Sequence, residues 1–203
     1  HAGTLDPDAT GVLPVALGEA TKVIPYLMSQ KKTYLTTIKF GIKTETDDIS
    51  GKILKKSIYR PEKQEITDAL KYFSGQIYQK PPVVSAVKVN GFRAYKLFHL
   101  GQQVSLKSRK LLVSNIQIIS QKDVERCSVS FTCGKGGYVR SIARDVGDFL
   151  GCFGCVEKLS RTSYGHFQID DSIKLNDLLN FSLEEIKFLT LGLEKGFSKI
   201  KAV

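Results

Sequence analysis

The sequence predicts an α+β fold, a mixed and largely antiparallel sheet flanked by helices and loops. Runs that alternate with a period of two, such as Tyr34–Ile42 and Val124–Thr132, are interspersed with apolar stripes of period 3.6. Neighbouring strand-like runs are joined by short polar connections, as in hairpins, and not by regular βαβ units. The 203 residues, 42% hydrophobic and 25% charged, suit one ample globular domain without internal repeats or low-complexity linkers.

The first fourteen residues, His1 to Pro14, hold two acids, two glycines and two prolines, so they form a shaped loop. Asp6 precedes Pro7, which biases it toward an extended backbone and fixes the direction of its carboxylate. On composition alone Asp6 and Asp8 serve equally well as simple turn formers. Ala20, Val23, Ile24 and Leu27 then recur at helical spacing, predicting a helix from Gly18 to Ser29 that Pro25 kinks or restarts. Tyr34, Thr36, Ile38, Phe40 and Ile42 mark a strand, ended by the polar connection 43–51.

Ile66, Ala69, Leu70 and Phe73 mark a second helix, opened near Pro61 and stopped by Gly75. Pro81-Pro82 breaks the chain, and Gly91 to Gly101 has the length and apolar content of a short helix. Leu111–Ile119 and Val124–Thr132 predict a hairpin. Val139, Ile142, Ala143, Val146 and Leu150 form the cleanest helical stripe, closed by Gly151. On that periodicity Arg140 and Arg144 fall on the polar face, where such residues are ordinarily solvated. The tail carries a helix start at Asp171/Ser172 and a capping box of Ser182 with Glu185.

Thirty Lys and Arg against twenty Asp and Glu give a net charge of +10, which suits a polyanion and nucleic acid first. Ordinary solubility charge is the alternative. No apolar run approaches the ~20 residues that span a bilayer. Cys152 and Cys155 have CxxC spacing, so zinc is considered. Cys127 and Cys133 instead share one strand face with Val129 and Phe131, which favours core thiols in a reducing cytoplasm over a metal. His99 and His166 have no metal-ligand spacing with a neighbour.

The run HAGTLDPDATGVLPVALGEATK resembles the signature motif of the TruB family of tRNA pseudouridine synthases, in order and without a gap. Further stretches resemble the family: Lys32-Thr33-Tyr34, GIKTETDDISG (41–51) in its bacterial form, PPVVSAVKVNG (81–91) with Tyr95, CGKGGYVRSIARD (133–145) and LSRTSYGHF (159–167). The resemblance implies the pseudouridine synthase catalytic fold over residues 1–203 as a single domain. It also implies that the strand region before the first motif, with its Lys-Pro pair, and the small C-terminal RNA-binding domain of many members are not part of this stretch.

By that resemblance Asp6 is the catalytic carboxylate, and Arg140 pairs with it. A guanidinium grips a carboxylate through two parallel hydrogen bonds, so the pairing is chemically apt. Tyr34 stacks on the target base and serves as general base, Tyr138 lines the uracil pocket and Leu159 packs against the flipped base. His1 corresponds to a histidine that occupies the RNA stack. Lys88, Arg93 and Lys135 are candidate contacts to the RNA backbone. On residue type alone, Tyr34 is equally a half-buried strand aromatic and Leu159 a core leucine.

The implied reaction converts a uridine of RNA, the T-loop uridine 55 of tRNA, into pseudouridine after base flipping. It needs neither redox step nor energy input, so no cofactor, nucleotide cofactor or metal is expected. The expected setting is a cytoplasmic monomer acting on the T-arm, away from any membrane. Asp6 acts as nucleophile, with C1′ of the ribose and C6 of uracil both open as its target. Rival readings are the RNA-guided branch that modifies ribosomal RNA, a non-catalytic RNA-binding module, and a carboxylate-based glycoside hydrolase with Asp8 as second acid.

Overall fold

The computed structural model describes residues 1–121 and 123–190. In chain order its elements are β1 (Thr10–Gly11), a 3-10 turn (Gly18–Val23) running into α1 (Ile24–Leu27), β2 (Lys32–Phe40), β3 (Ile42–Thr44), β4 (Ile53–Lys56), α2 (Lys63–Tyr72) and β5 (Gly75–Gln79). There follow β6 (Lys88–Val89), β7 (Phe92–Arg93), α3 (Ala94–His99), β8 (Arg109–Gln121), β9 (Arg126–Cys133), α4 (Val139–Phe149), β10 (Gly154–Tyr164), β11 (Phe167–Gln168), α5 (Leu175–Leu178) and α6 (Leu183–Leu189).

The main sheet has the order β1-β10-β2-β9-β8-β5, with β11 added on β10. Only β1 against β10 is parallel, so the expected mixed, largely antiparallel sheet is the observed one. Ile38, Phe40, Val129 and Phe131 point to one face and meet Ile142, Ala143 and Val146 of α4 and Ile66 and Leu70 of α2 in a single core. The opposite face leaves Leu35 exposed, as a one-sided antiparallel sheet does. Helix α4 approaches β10 so closely that a Cβ on Gly147 would lie 2.2 Å from the Gly154 nitrogen. Cys127, Cys133, Cys152 and Cys155 are free thiols buried in or beside this core. No group of His, Cys, Asp and Glu among the described residues is arranged to hold a metal ion.

The structure corrects several expectations. The strand ends at Phe40 because Gly41, at φ +93°, turns the chain out of the sheet, and Ile42 starts β3. The polar connection 43–51 is the tip of the β3–β4 hairpin, folded against the main sheet by the Ile49 N–H donating to the Val156 carbonyl at 2.8 Å. Helix α2 begins after Pro61, with Glu62 and Glu65 forming its capping box. Val89-Asn90-Gly91-Phe92 is a tight hairpin with both central residues at positive φ, the turn that Asn-Gly favours, so the following helix starts only at Ala94. Ser172 turns its hydroxyl back to the Gln168 carbonyl, and α5 starts at Leu175 instead. Ser182 and Glu185 cap α6 as expected.

Candidate active site

The opening loop closes on itself: Ala2 N–H donates to the Pro14 carbonyl and Ala9 N–H to the Asp6 carbonyl, both at 2.9 Å. It then enters the sheet as β1, with Gly11 opposite Arg161 of β10. Gly11 sits at φ +107°, and a Cβ there would stand 2.2 Å from the Arg161 carbonyl oxygen, so no other residue fits this contact.

Arg161 anchors the loop from beneath. Its side chain is 1% exposed, and its guanidinium donates to the carbonyls of Val12 (2.8 Å), Gly3 (3.2 Å) and Thr4 (3.4 Å). It also lies 5.0 Å from the centre of the Tyr164 ring, whose other neighbour is the Lys32 ammonium at 4.5 Å. A buried cation held by main-chain oxygens and an aromatic face replaces its lost hydration without a carboxylate. The result is a stiff support for the residues leading to Asp6.

Arg140, on the first turn of α4, meets Asp6 from the other side. Its Nε donates to Asp6 Oδ2 at 2.8 Å and its Nη2 to Oδ1 at 2.9 Å, a two-pronged grip across 134 positions of sequence. Its Nη1 donates to the Thr46 carbonyl at 3.0 Å and stands 3.7 Å from Asp48 Oδ2. Asp48 is itself oriented by the hydroxyls of Thr46 (2.7 Å) and Ser50 (2.6 Å), which donate to its Oδ1. The Arg140 side chain is 7% exposed whereas that of Asp6 is 38% exposed. The arginine is therefore fixed within the protein, while the carboxylate is partly exposed.

One helical turn further, Arg144 donates to Asp47 Oδ2, to Asp145 Oδ1 and to the Lys80 carbonyl, each at 2.8 Å. Burial pushes the carboxyls of Asp47 and Asp145 up, and the Arg144 guanidinium opposes that. Arg140 and Arg144 thus do not lie on a solvated helix face: the β3–β4 hairpin tip covers them with main-chain oxygens and carboxylates.

Tyr34 lies directly opposite Arg161, and Leu159 opposite Thr36, so the four side chains share one face of the β2–β10 pair. The register of β10 slips between Val156 and Lys158 and again between Arg161 and Ser163, so irregularities bracket Leu159 and Arg161. Burial pushes the Tyr34 phenol up to about 12, with nearby Arg161 pulling the other way. Leu159 is half-buried and packs on the main core. Tyr138 is the N-cap residue of α4, two positions before Arg140.

Other expected residues lie further out. His1 is exposed at the start of the chain, and Lys135 is exposed in the turn before Tyr138. Lys88 and Arg93 are exposed and paired across the β6–β7 hairpin, with Arg93 donating back to the Ala86 carbonyl. Asp47, Asp48, Arg161 and the Thr46 carbonyl did not emerge from the sequence as site groups. Their contacts depend on where the hairpin tip and β10 settle, and residue spacing carries no mark of that.

Comparisons with known proteins identify the family. The family model described as TruB family pseudouridylate synthase (N terminal domain) matches residues 1–139. That of the tRNA pseudouridylate synthase B C-terminal domain matches residues 140–189. The division falls within α4, between Val139 and Arg140. The tRNA pseudouridine synthase B of Cereibacter sphaeroides strain ATCC 17025 is 52% identical over 175 residues, covering 86% of this chain and 58% of that protein. The enzyme of the same name from the Wolbachia of Culex pipiens is 48% identical over 179 residues, covering 88% of this chain and 51% of its own length. The chain therefore spans between half and two thirds of these relatives. Among solved structures, a Cbf5-Nop10-Gar1 complex superposes with a TM-score of 0.68 at 28% identity, over 89% of this chain and 45% of the other. An H/ACA RNP bound to a substrate RNA containing 2′-deoxyuridine shares the fold with a TM-score of 0.65 at 24% identity, over 89% of this chain and 43% of the other. By its family-model matches over residues 1–189, the chain belongs to the TruB family of pseudouridylate synthases.

Proposed function

We propose that this chain isomerises uridine to pseudouridine in RNA, at the T-loop uridine 55 of tRNA, working as a cytoplasmic monomer on the T-arm. The observation that carries the reading is the Asp6–Arg140 grip, with the arginine buried and the carboxylate half-exposed. A flipped uridine meets Asp6, which attacks as nucleophile at C1′ of the ribose or C6 of the uracil and is released again when C5 bonds to C1′. The N1–C1′ bond breaks, uracil rotates, and C5 bonds to C1′. The C5 proton is lost, N1 ends protonated, and the RNA keeps its mass.

Arg140 orients the attacking oxygens throughout. Tyr34 stacks on the base, Tyr138 and Leu159 close the slot, and His1 fills the gap left in the RNA stack. Receipt of the C5 proton by Tyr34 requires its phenolate, a form that burial opposes by raising the phenol to about 12. Lys88, Arg93 and Lys135 meet backbone phosphates on the same side.

A second reading, RNA-guided modification, is favoured by the likeness to the Cbf5 complex. The higher identity to proteins named tRNA pseudouridine synthase B, 52% against 28%, supports the stand-alone reading. The test is purified protein with transcript tRNA carrying tritium at C5 of uridine and no other component. Release of label at constant RNA mass is expected. No release without an added guide RNA would overturn the stand-alone reading, and an RNA made lighter by the loss of free uracil would indicate hydrolysis.

A further inference from the structure

Helix α4 starts with Tyr138, a residue whose side chain caps nothing; the N-cap has no side-chain hydrogen bond of its own. Helices ordinarily begin on Ser, Thr, Asp or Asn because the cap side chain accepts from an N–H of the first turn. Here another element instead fixes the backbone of the cap residue itself. Gln79, the last residue of β5 and 3% exposed, accepts from the Tyr138 N–H through Oε1 at 2.8 Å. It also donates from Nε2 to the Tyr138 carbonyl at 3.1 Å. The next residue reinforces the joint: the Lys80 carbonyl accepts from Ser141 Oγ and from Arg144 Nη2, each at 2.8 Å.

Gln79 and Lys80 are the stem from which the segment 81–108 leaves the sheet. The Tyr138 side chain packs into the small cluster of Val87, Ala94 and Leu106 that holds that segment together. Tyr138 is therefore gripped twice by one insertion, at its backbone by the stem and at its ring by the cluster. An amide is suited to this task because it donates and accepts at once, and it matches both polar groups of one residue. We propose that Gln79 is a positioning residue for Tyr138: it sets the slot wall formed by the Tyr138 ring in register with the inserted segment. This rests on the reaction proposed above.

The experiment compares wild type with Gln79→Met and Gln79→Glu, each also in a Tyr138→Ala background. Gln79→Met keeps the length and removes both bonds, while Gln79→Glu keeps the acceptor and removes the donor. Expected are a fall of kcat of about 100-fold for Gln79→Met, since misplacement by about 1 Å costs that much, and a smaller fall for Gln79→Glu. KM for T-arm RNA should stay within about twofold. In the Tyr138→Ala background neither change should cost more, because a residue acting only through Tyr138 has nothing left to position. Independently of turnover, the Tyr138 amide should exchange with solvent about tenfold faster in Gln79→Met. Wild-type kcat in a folded Gln79→Met protein, or full additivity with Tyr138→Ala, overturns the proposal. If Gln79→Met does not fold, Gln79→Glu decides it by the same measures. If wild type releases no label while the Tyr138 amide still responds, the proposed reaction is at fault and the positioning stands.

Discussion

Asp6 and Arg140 face each other through paired hydrogen bonds of 2.8 and 2.9 Å although 134 positions separate them in the chain. One sits on a loop that main-chain turns and Arg161 hold still. The other sits on a helix whose arginine is satisfied on its remaining edge by the Thr46 carbonyl. Neither residue depends on a reactant for its position.

Replacing Asp6 with Asn changes little volume but removes the attacking charge. Label release from C5-tritiated T-arm RNA should fall on the order of 10⁴-fold or more, with RNA binding retained. Undiminished turnover would remove Asp6 from the reaction.

Arg140→Lys keeps the charge and loses the planar fork. A loss of roughly 100-fold in kcat is expected from a misaligned carboxylate, with a smaller change in KM. A loss confined to KM would mean that Arg140 contributes to binding alone.

Arg161→Met should lower the unfolding free energy by roughly 3 kcal/mol, because the buried carbonyl of Val12 and the partly buried one of Gly3 lose their donor. Denaturant titration measures this directly. A near-neutral result would show that the opening loop finds other donors.

Lys32 is buried, donates to the Met28 and Gln30 carbonyls, and is lowered by that burial from 10.5 to about 8. Between those values the unfolded chain holds a proton that the folded chain lacks, so Lys32 makes stability rise with pH across that window and withdraws it as pH falls through about 8. Buried thiols, raised from 9.0 to about 11 or 12, act oppositely. The comparison is therefore wild type against Lys32→Met: their stability difference should shift with pH between about 8 and 10.5, and a constant difference would refute the assignment.

The alternating run that became β2 and the stripe that became α4 were legible because each buries one face, and a buried face imposes its period on the sequence. Asp6, Tyr34 and Arg140 were marked out by the three separate family motifs that contain them, and the implied Asp6–Arg140 contact is present. Arg161 was not, since a buried arginine in a strand has the spacing of any inward residue and only its carbonyl partners explain it. Asp47 and Asp48 read as polar connection because the hairpin's packing over α4 is a long-range event. The solvated-face expectation for Arg140 and Arg144 failed for the same reason: polarity on a helix shows that the stripe is not greasy, and does not show what lies above it.

The guanidinium on β10 that clasps Gly3, Thr4 and Val12 has a consequence for the order in which the protein becomes competent. Asp6 precedes its anchor Arg161 in the chain and is therefore synthesised before it. A growing chain, or any fragment stopping short of residue 161, carries every atom of Asp6 yet lacks the strut that aims it, so chemistry should switch on only after that strand has docked.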